Sequence, residues 1–150
     1  MLILTRLHII VIAAFAFFSS LSIACAGEMK VEAAWARASA GATGTVFVVI
    51  ANESPSADRL LTVQSPIASD AMIHRSFEQG GVMWMEHVPA LPIDAGQRLE
   101  MRPGGLHIML MGLKQPLRKG EEFPLVLGFE HGGVTSLTVK VYGPGAMKPD

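Results

Sequence analysis

The 150-residue chain has a single cysteine, Cys25. A disulfide framework is therefore excluded, and the fold must be held by an apolar core. Neither sign of charge dominates, with 12 Lys and Arg against 13 Asp and Glu. No basic stripe suited to nucleic acid and no polybasic segment suited to an acidic membrane surface is present. The chain lacks a G-x-S-x-G elbow, a P-loop and an H-E-x-x-H pair, so three common routes to catalysis have no sequence basis. It also lacks internal repeats, low-complexity tracts and a convincing amphipathic helical period.

One long apolar run is present, at the start. Arg6 and His8 precede "IIVIAAFAFF", and "SSLSIACA" follows with small residues. This is the order of a secretory signal peptide, with Ala24-Cys25-Ala26 fitting the A-x-A cleavage rule. Residues 1–26 are expected to be removed, leaving 27–150 with 11 basic and 13 acidic residues and a formal charge of −2. Acylation of Cys25 fits less well, because Ser22 stands where lipoprotein signals prefer an aliphatic residue. Retention of residues 7–24 as an anchor is a third reading, since their length approaches a membrane span. The expectation is export, without membrane insertion after leader removal.

From Lys30 onwards, short apolar runs of period two alternate with Gly, Pro, Asn and Ser clusters. "TVFVVIAN" reads as a strand buried on both faces, and "RLLTVQS" follows the turn "NESPSAD". In "RLEM", Leu99 and Met101 share one face and Arg98 and Glu100 the other. "VTSLTVKVYG" turns Leu137, Val139 and Val141 inward, and "EHGG" joins it to "PLVLGFE" as a hairpin. About eight strands at this spacing predict an all-β chain, a β-sandwich or Greek-key barrel. A short flexible tail is expected from about residue 143. Asn52-Glu53-Ser54 matches a glycosylation sequon, a pattern too common to carry weight alone.

The nine methionines are the unusual feature. In "GGLHIMLMGL", residues 104–113, alternate positions place His107, Met109 and Met111 on one strand face. The stretch "AMIHRSFEQGGVMWMEH", residues 71–87, reads as a hairpin. With Gln79 and Gly80 at the turn centre, His74 is expected opposite Met85, Met72 opposite His87, and Ser76 opposite Met83. Imidazoles beside thioethers suit a soft metal, above all Cu(I). Calcium and magnesium would call for oxygen ligands, structural zinc more often uses thiolates, and a blue-copper site needs a Cys. Methionine is also a common core filler. Met101 is read as core, Met111 stays open, His131 is read as exposed, and Trp84 is expected to pack on the face away from Met83 and Met85. From the residues alone, a copper site and a plain apolar packing or partner-binding face both remain open.

The spacing His74, ten residues, Met85, twenty-one residues, His107-Ile108-Met109 resembles the signature of the PCu(A)C-type periplasmic copper chaperones. "GGVMWM", "RPGGLHIMLMGLKQPLRKG" and "FPLVLGFE" are also similar to that family, as are "AWARAS" and "NESPSADRLLTV" more weakly, covering nearly all of residues 30–142. The resemblance implies a cupredoxin-like β-barrel and Cu(I) held by His74, Met85, His107 and Met109. It further implies a periplasmic metallochaperone, not an enzyme, that delivers copper toward the CuA centre of cytochrome c oxidase. The acceptor would be oxidase subunit II or a thioredoxin-like copper chaperone. Copper tolerance or storage, and a metal-free β-sandwich interaction module, are the alternatives. The tail holds only Met147, so a second, tail-borne copper site is not expected. Arg75, next to His74, is expected to bring a positive charge near the site.

Overall fold

A computed structural model describes residues 28–149, so the expected leader, 1–26, lies outside the described residues. Ten strands follow in order: β1 Met29–Arg37, β2 Thr43–Asn52, β3 Asp58–Gln64, β4 Asp70–Gln79, β5 Val82–His87, β6 Leu91–Ile93, β7 Arg98–Glu100, β8 Leu106–Met111, β9 Glu122–Phe129 and β10 Val134–Tyr142. The all-β class expected from the sequence is the one observed. Of the ten, the three-residue β6 is the one too short for a full alternation to register in sequence. Among the described residues, no helix is long and apolar enough to cross a membrane.

The strands form one mixed sheet in the order β5-β4-β8-β2-β1-β10-β9-β3-β6, with β7 also on β2. β2 has β1 on one side and β8 and β7 on the other. That position explains why Val46, Phe47, Val48, Val49 and Ile50 are all buried: both faces of the central strand are covered. β1 pairs with β10 in parallel, and that contact joins the two halves of the sheet. The sheet curls so that Leu60 of β3, Ile73 of β4, Ile108 of β8, Leu125 of β9 and Val139 of β10 share one core. Met101 and Leu99 join it while Arg98 and Glu100 stay exposed, as the alternation of "RLEM" requires.

β5 stands apart from this arrangement. All six of its residues are exposed, and it ends the sheet, paired only through β4. Trp84, expected to pack beneath the hairpin, is 53% exposed, because the β4–β5 hairpin extends past the core that would have covered it. Asn52 is 1% exposed. Its amide donates to the carbonyls of Ser56 and Ile93, and its oxygen accepts from Ser54, which leaves no room for a glycan.

Asp58 closes the far end. It is 6% exposed, and its carboxylate accepts from the backbone amides of Arg59, His131 and Gly132 at 2.7, 3.0 and 2.7 Å. Burial works to raise its pKa, but the three amides and the nearby His131 outweigh it and hold the carboxyl below its ordinary value. A depressed folded pKa means that this stabilisation is present above the unfolded pKa and fades as pH falls through the folded one. Asp58→Ala strands these donors and should cost roughly 2–3 kcal/mol at neutral pH. Urea unfolding of both proteins at pH 7 and pH 3 checks this; the gap between them should narrow in acid.

Candidate metal centre

The central strand of the site is β4. Its residues Met72, His74 and Ser76 share one face by the two-residue period. On one side, β8 sets His107 directly opposite His74 and Met109 opposite Met72. On the other side, β5 sets His87 opposite His74 and Met85 opposite Ser76. Three imidazoles therefore stand in one row across three strands, His87–His74–His107. Thioethers of Met72, Met85 and Met109 lie in the adjoining rows.

This corrects the expected hairpin register. His74 faces His87 rather than Met85, and Ser76 faces Met85 rather than Met83. The cause lies in the turn. Gly80 and Gly81 both have positive φ, 63° and 76°, and together they form the two-residue connection between Gln79 and Val82. A turn centred on Gln79 and Gly80 would force a side chain into that left-handed region. Moving the turn centre by one residue shifts each partner by two, so every side chain keeps its face. His74 and Met85 become diagonal neighbours instead of direct ones.

Burial grades across the face. His107 is 6% exposed, His74, Met72, Met109 and Met111 are half-buried, and His87 and Met85 are exposed, Met85 at 54%. The ring of His74 lies 5.9 Å from that of His87 and 5.9 Å from that of His107, nearly perpendicular to each. With metal–nitrogen bonds of ~2 Å, two imidazoles on one ion have ring centres at most about 6 Å apart, so both pairs are in reach. Among the described residues, no three His, Cys, Asp or Glu side chains form a ready cage. The other soft donors beside the imidazole row are the thioethers of Met72, Met85 and Met109.

The ring nitrogens are not equivalent. His107 Nδ1 lies 3.0 Å from the Gly105 carbonyl, which can only accept, so Nδ1 carries the proton and Nε2 keeps its lone pair for a ligand. The same carbonyl accepts the Ser76 amide at 3.0 Å and ties the loop before β8 to β4. His74 Nδ1 is buried with no hydrogen-bond partner. Burial, and then the neighbouring His107 and His87, lower the His74 pKa and keep the ring neutral. A neutral imidazole with an unused nitrogen, a second with Nε2 free, and neutral thioethers fit a monovalent soft cation.

Arg75 does not bring its charge to this face. It points to the other side of the hairpin, where its guanidinium lies 3.4 Å from Glu86 across from it. Met111 shares the face opposite Asp70, one row beyond Met109. At the tail, Arg37 donates to the Ala146 carbonyl at 2.7 Å and lies 3.0 Å from the Met147 sulfur. Met147 is thus held against β1. His87 is the residue that sequence reasoning left outside the site. Its period-two relation to Met85 was legible, but its pairing with His74 depended on the turn.

The site is an open sheet face, and the larger surface clefts are lined by other residues, such as Pro66, Lys114 and Phe123. The apo PCuAC domain of PmoF2 superimposes on the chain with a TM-score of 0.68 at 24% identity, over 83% of this chain and 97% of that one. The Cu(I) form of DR1885 from Deinococcus radiodurans matches with a TM-score of 0.60 at 28% identity, over 77% and 80%. The fold is accordingly cupredoxin-like, of the PCuAC type. A protein of Leifsonia xyli subsp. xyli (strain CTCB07), "Putative lipoprotein Lxx21020", is 31% identical over 117 residues, 77% of this chain and 70% of its own length. The family model described as "Putative lipoprotein LpqE-like" matches residues 29–141, a span that takes in β1 to β9, nearly all of β10 and the His and Met residues of the β4–β5–β8 face, and the chain belongs to this LpqE-like family.

Proposed function

We propose that the protein is an exported Cu(I) metallochaperone, with His74, Met85, His107 and Met109 as its ligands. The single observation that carries this is the juxtaposition of His74 and His107, each with an uncommitted ring nitrogen, beside Met109 on a partly buried sheet face. Met85 closes the set from the hairpin edge. The Cu(I) form of DR1885 supports the choice of metal. Four neutral ligands leave the +1 charge of the ion uncompensated. Such a site favours an open position and ready ligand exchange over permanent storage. Glu86, between Met85 and His87 in sequence, is turned away from the ligand face toward Arg75.

Copper is cargo in this reading. Thiolates bind Cu(I) better than thioethers and imidazoles, so transfer runs downhill to a thiolate-rich acceptor. The CuA centre of cytochrome c oxidase subunit II, directly or through a thioredoxin-like copper chaperone, is the acceptor that fits that chemistry. Titration of Cu(I) against a chromogenic competing chelator tests the proposal. One ion per chain is expected, and His107→Ala should weaken it by at least about a hundredfold, since second-shell partners alone are worth 10–100-fold. Zn(II) should not displace it. Equal competition by zinc would refute the thioether ligands. Affinity should also decline as pH falls through the imidazole range, because a protonated ring cannot bind.

For export, the expected mature N-terminus is Gly27, in the periplasm. The lipoprotein description of the family favours a second form, cut before Cys25 and acylated there. Intact-mass measurement of protein from its native host decides between them, since a diacyl or triacyl adduct on Cys25 excludes the soluble form.

A further inference from the structure

His87 is the one imidazole of the row that the proposed ligand set does not use. Its placement repeats that of His107. His107 and Met109 are i, i+2 neighbours on β8, and Met85 and His87 are i, i+2 neighbours on β5. β5 and β8 both run antiparallel to β4, so the two pairs flank His74 with their imidazoles in its own row. Met109 lies one row to one side of that row and Met85 one row to the other. The arrangement is an approximate two-fold rotation about His74. The equal ring separations, 5.9 Å, and the near-equal interplanar angles, 81° and 82°, follow the same relation.

Each flank of His74 therefore carries one imidazole and one thioether. The thioethers lie on opposite diagonals, so an ion on either flank has one of them close at hand. The flanks differ in exposure: His107 is buried, and His87 and Met85 lie on the edge strand in solvent. Resting on the copper reading above, we propose that His87 forms an outer Cu(I) position with His74 and Met85. This position alternates with the inner, four-ligand one above, in which His107 and Met109 join His74 and Met85. A ring nitrogen of His74 directs one lone pair to one ion, so the positions exchange a single copper and are not filled together. In the step, the bonds from copper to His107 and Met109 break as that to His87 forms, while His74 and Met85 stay bound. Copper stays Cu(I), the imidazoles stay neutral, and no electron or proton moves. The outer position brings the ion to the exposed edge, where an acceptor's thiolate can attack it.

Cu(I) titration of the mature protein, His107→Ala and the double variant His107→Ala/His87→Ala tests this, with His131→Ala as a control in an exposed turn. Removing His107 should leave residual binding, which the added loss of His87 should reduce by about tenfold or more. In His107→Ala, Cu(I) should shift the His87 ring resonances in the NMR spectrum, and folding of each apo variant is read from its backbone spectrum. Equal affinities of the single and double variants, with His87 resonances unmoved, would overturn the outer position and leave the copper site standing. No Cu(I) uptake by the unaltered protein would overturn both.

Discussion

Met109→Leu is expected to remove most of the thermal stabilisation that Cu(I) confers on this protein, and Met101→Leu to keep it. Leucine fills nearly the volume of methionine, and such an exchange usually costs under about 1.5 kcal/mol of stability. It deletes the thioether donor all the same. Met109 is half-buried on the ligand face, opposite Met72 and two residues from His107. Met101 is 1% exposed within the core. A ligand that binds only the folded state stabilises it by about 2.7 kcal/mol at a free concentration 100 times its dissociation constant. For a domain of this size that is a rise of roughly 10 °C. Differential scanning fluorimetry of apo and Cu(I)-loaded proteins reads both quantities at once. Met85→Leu should behave as Met109→Leu does. If Met101→Leu abolished the rise and Met109→Leu preserved it, the face assignment and the site built on it would be wrong.

The converse substitution has its large effect on the fold. Met101→Ala should cost about 2–5 kcal/mol, the usual range for truncating a buried Met, Leu or Ile, because the lost methylenes leave a cavity that close-packed neighbours fill only in part. Met101 follows β7 directly, and its amide donates to the Val48 carbonyl at 2.9 Å. That bond survives the change, so the backbone path from β7 toward β8 should persist while packing suffers. Urea unfolding should show a lower midpoint with an unchanged slope. The folded fraction should still bind Cu(I) with unaltered affinity, since Met101 does not face the ligands. Met109→Ala, at a half-buried position, should lose less fold stability and nearly all of the copper response. Two methionines eight residues apart would then separate folding from binding.

Much of this division was legible in the linear chain. Alternation in "RLEM" put Met101 with Leu99, and alternation in "GGLHIMLMGL" put His107 with Met109, because side chains on a strand change faces at every residue whatever the strand pairs with. The near-continuous apolar run of β2 announced burial on both faces, and its place between β1 and β8 shows why. Trp84 was misjudged for the complementary reason. Periodicity assigns a face but does not reveal whether anything covers it, and β5 extends beyond the core.

The linear chain by itself determined which residue types share a face, that no thiolate remains in the described domain, and that a soft-metal site could use only imidazole and thioether donors. Tertiary structure decided which of those donors meet. His74 and His107 are 33 positions apart, and strand order, set by how ten strands close one core, makes them direct neighbours. His87 came opposite His74 through two consecutive positive-φ glycines, a turn choice that moves the register by two residues without altering the pattern of faces. The hairpin register set Arg75 opposite Glu86 on the other face. The Gly105 carbonyl selected the nitrogen that His107 leaves free. The first of these outcomes depends on pairing between segments distant in sequence and the others on the geometry of a turn, a hairpin and a loop, whereas a two-residue period is the same for every partner a strand could take.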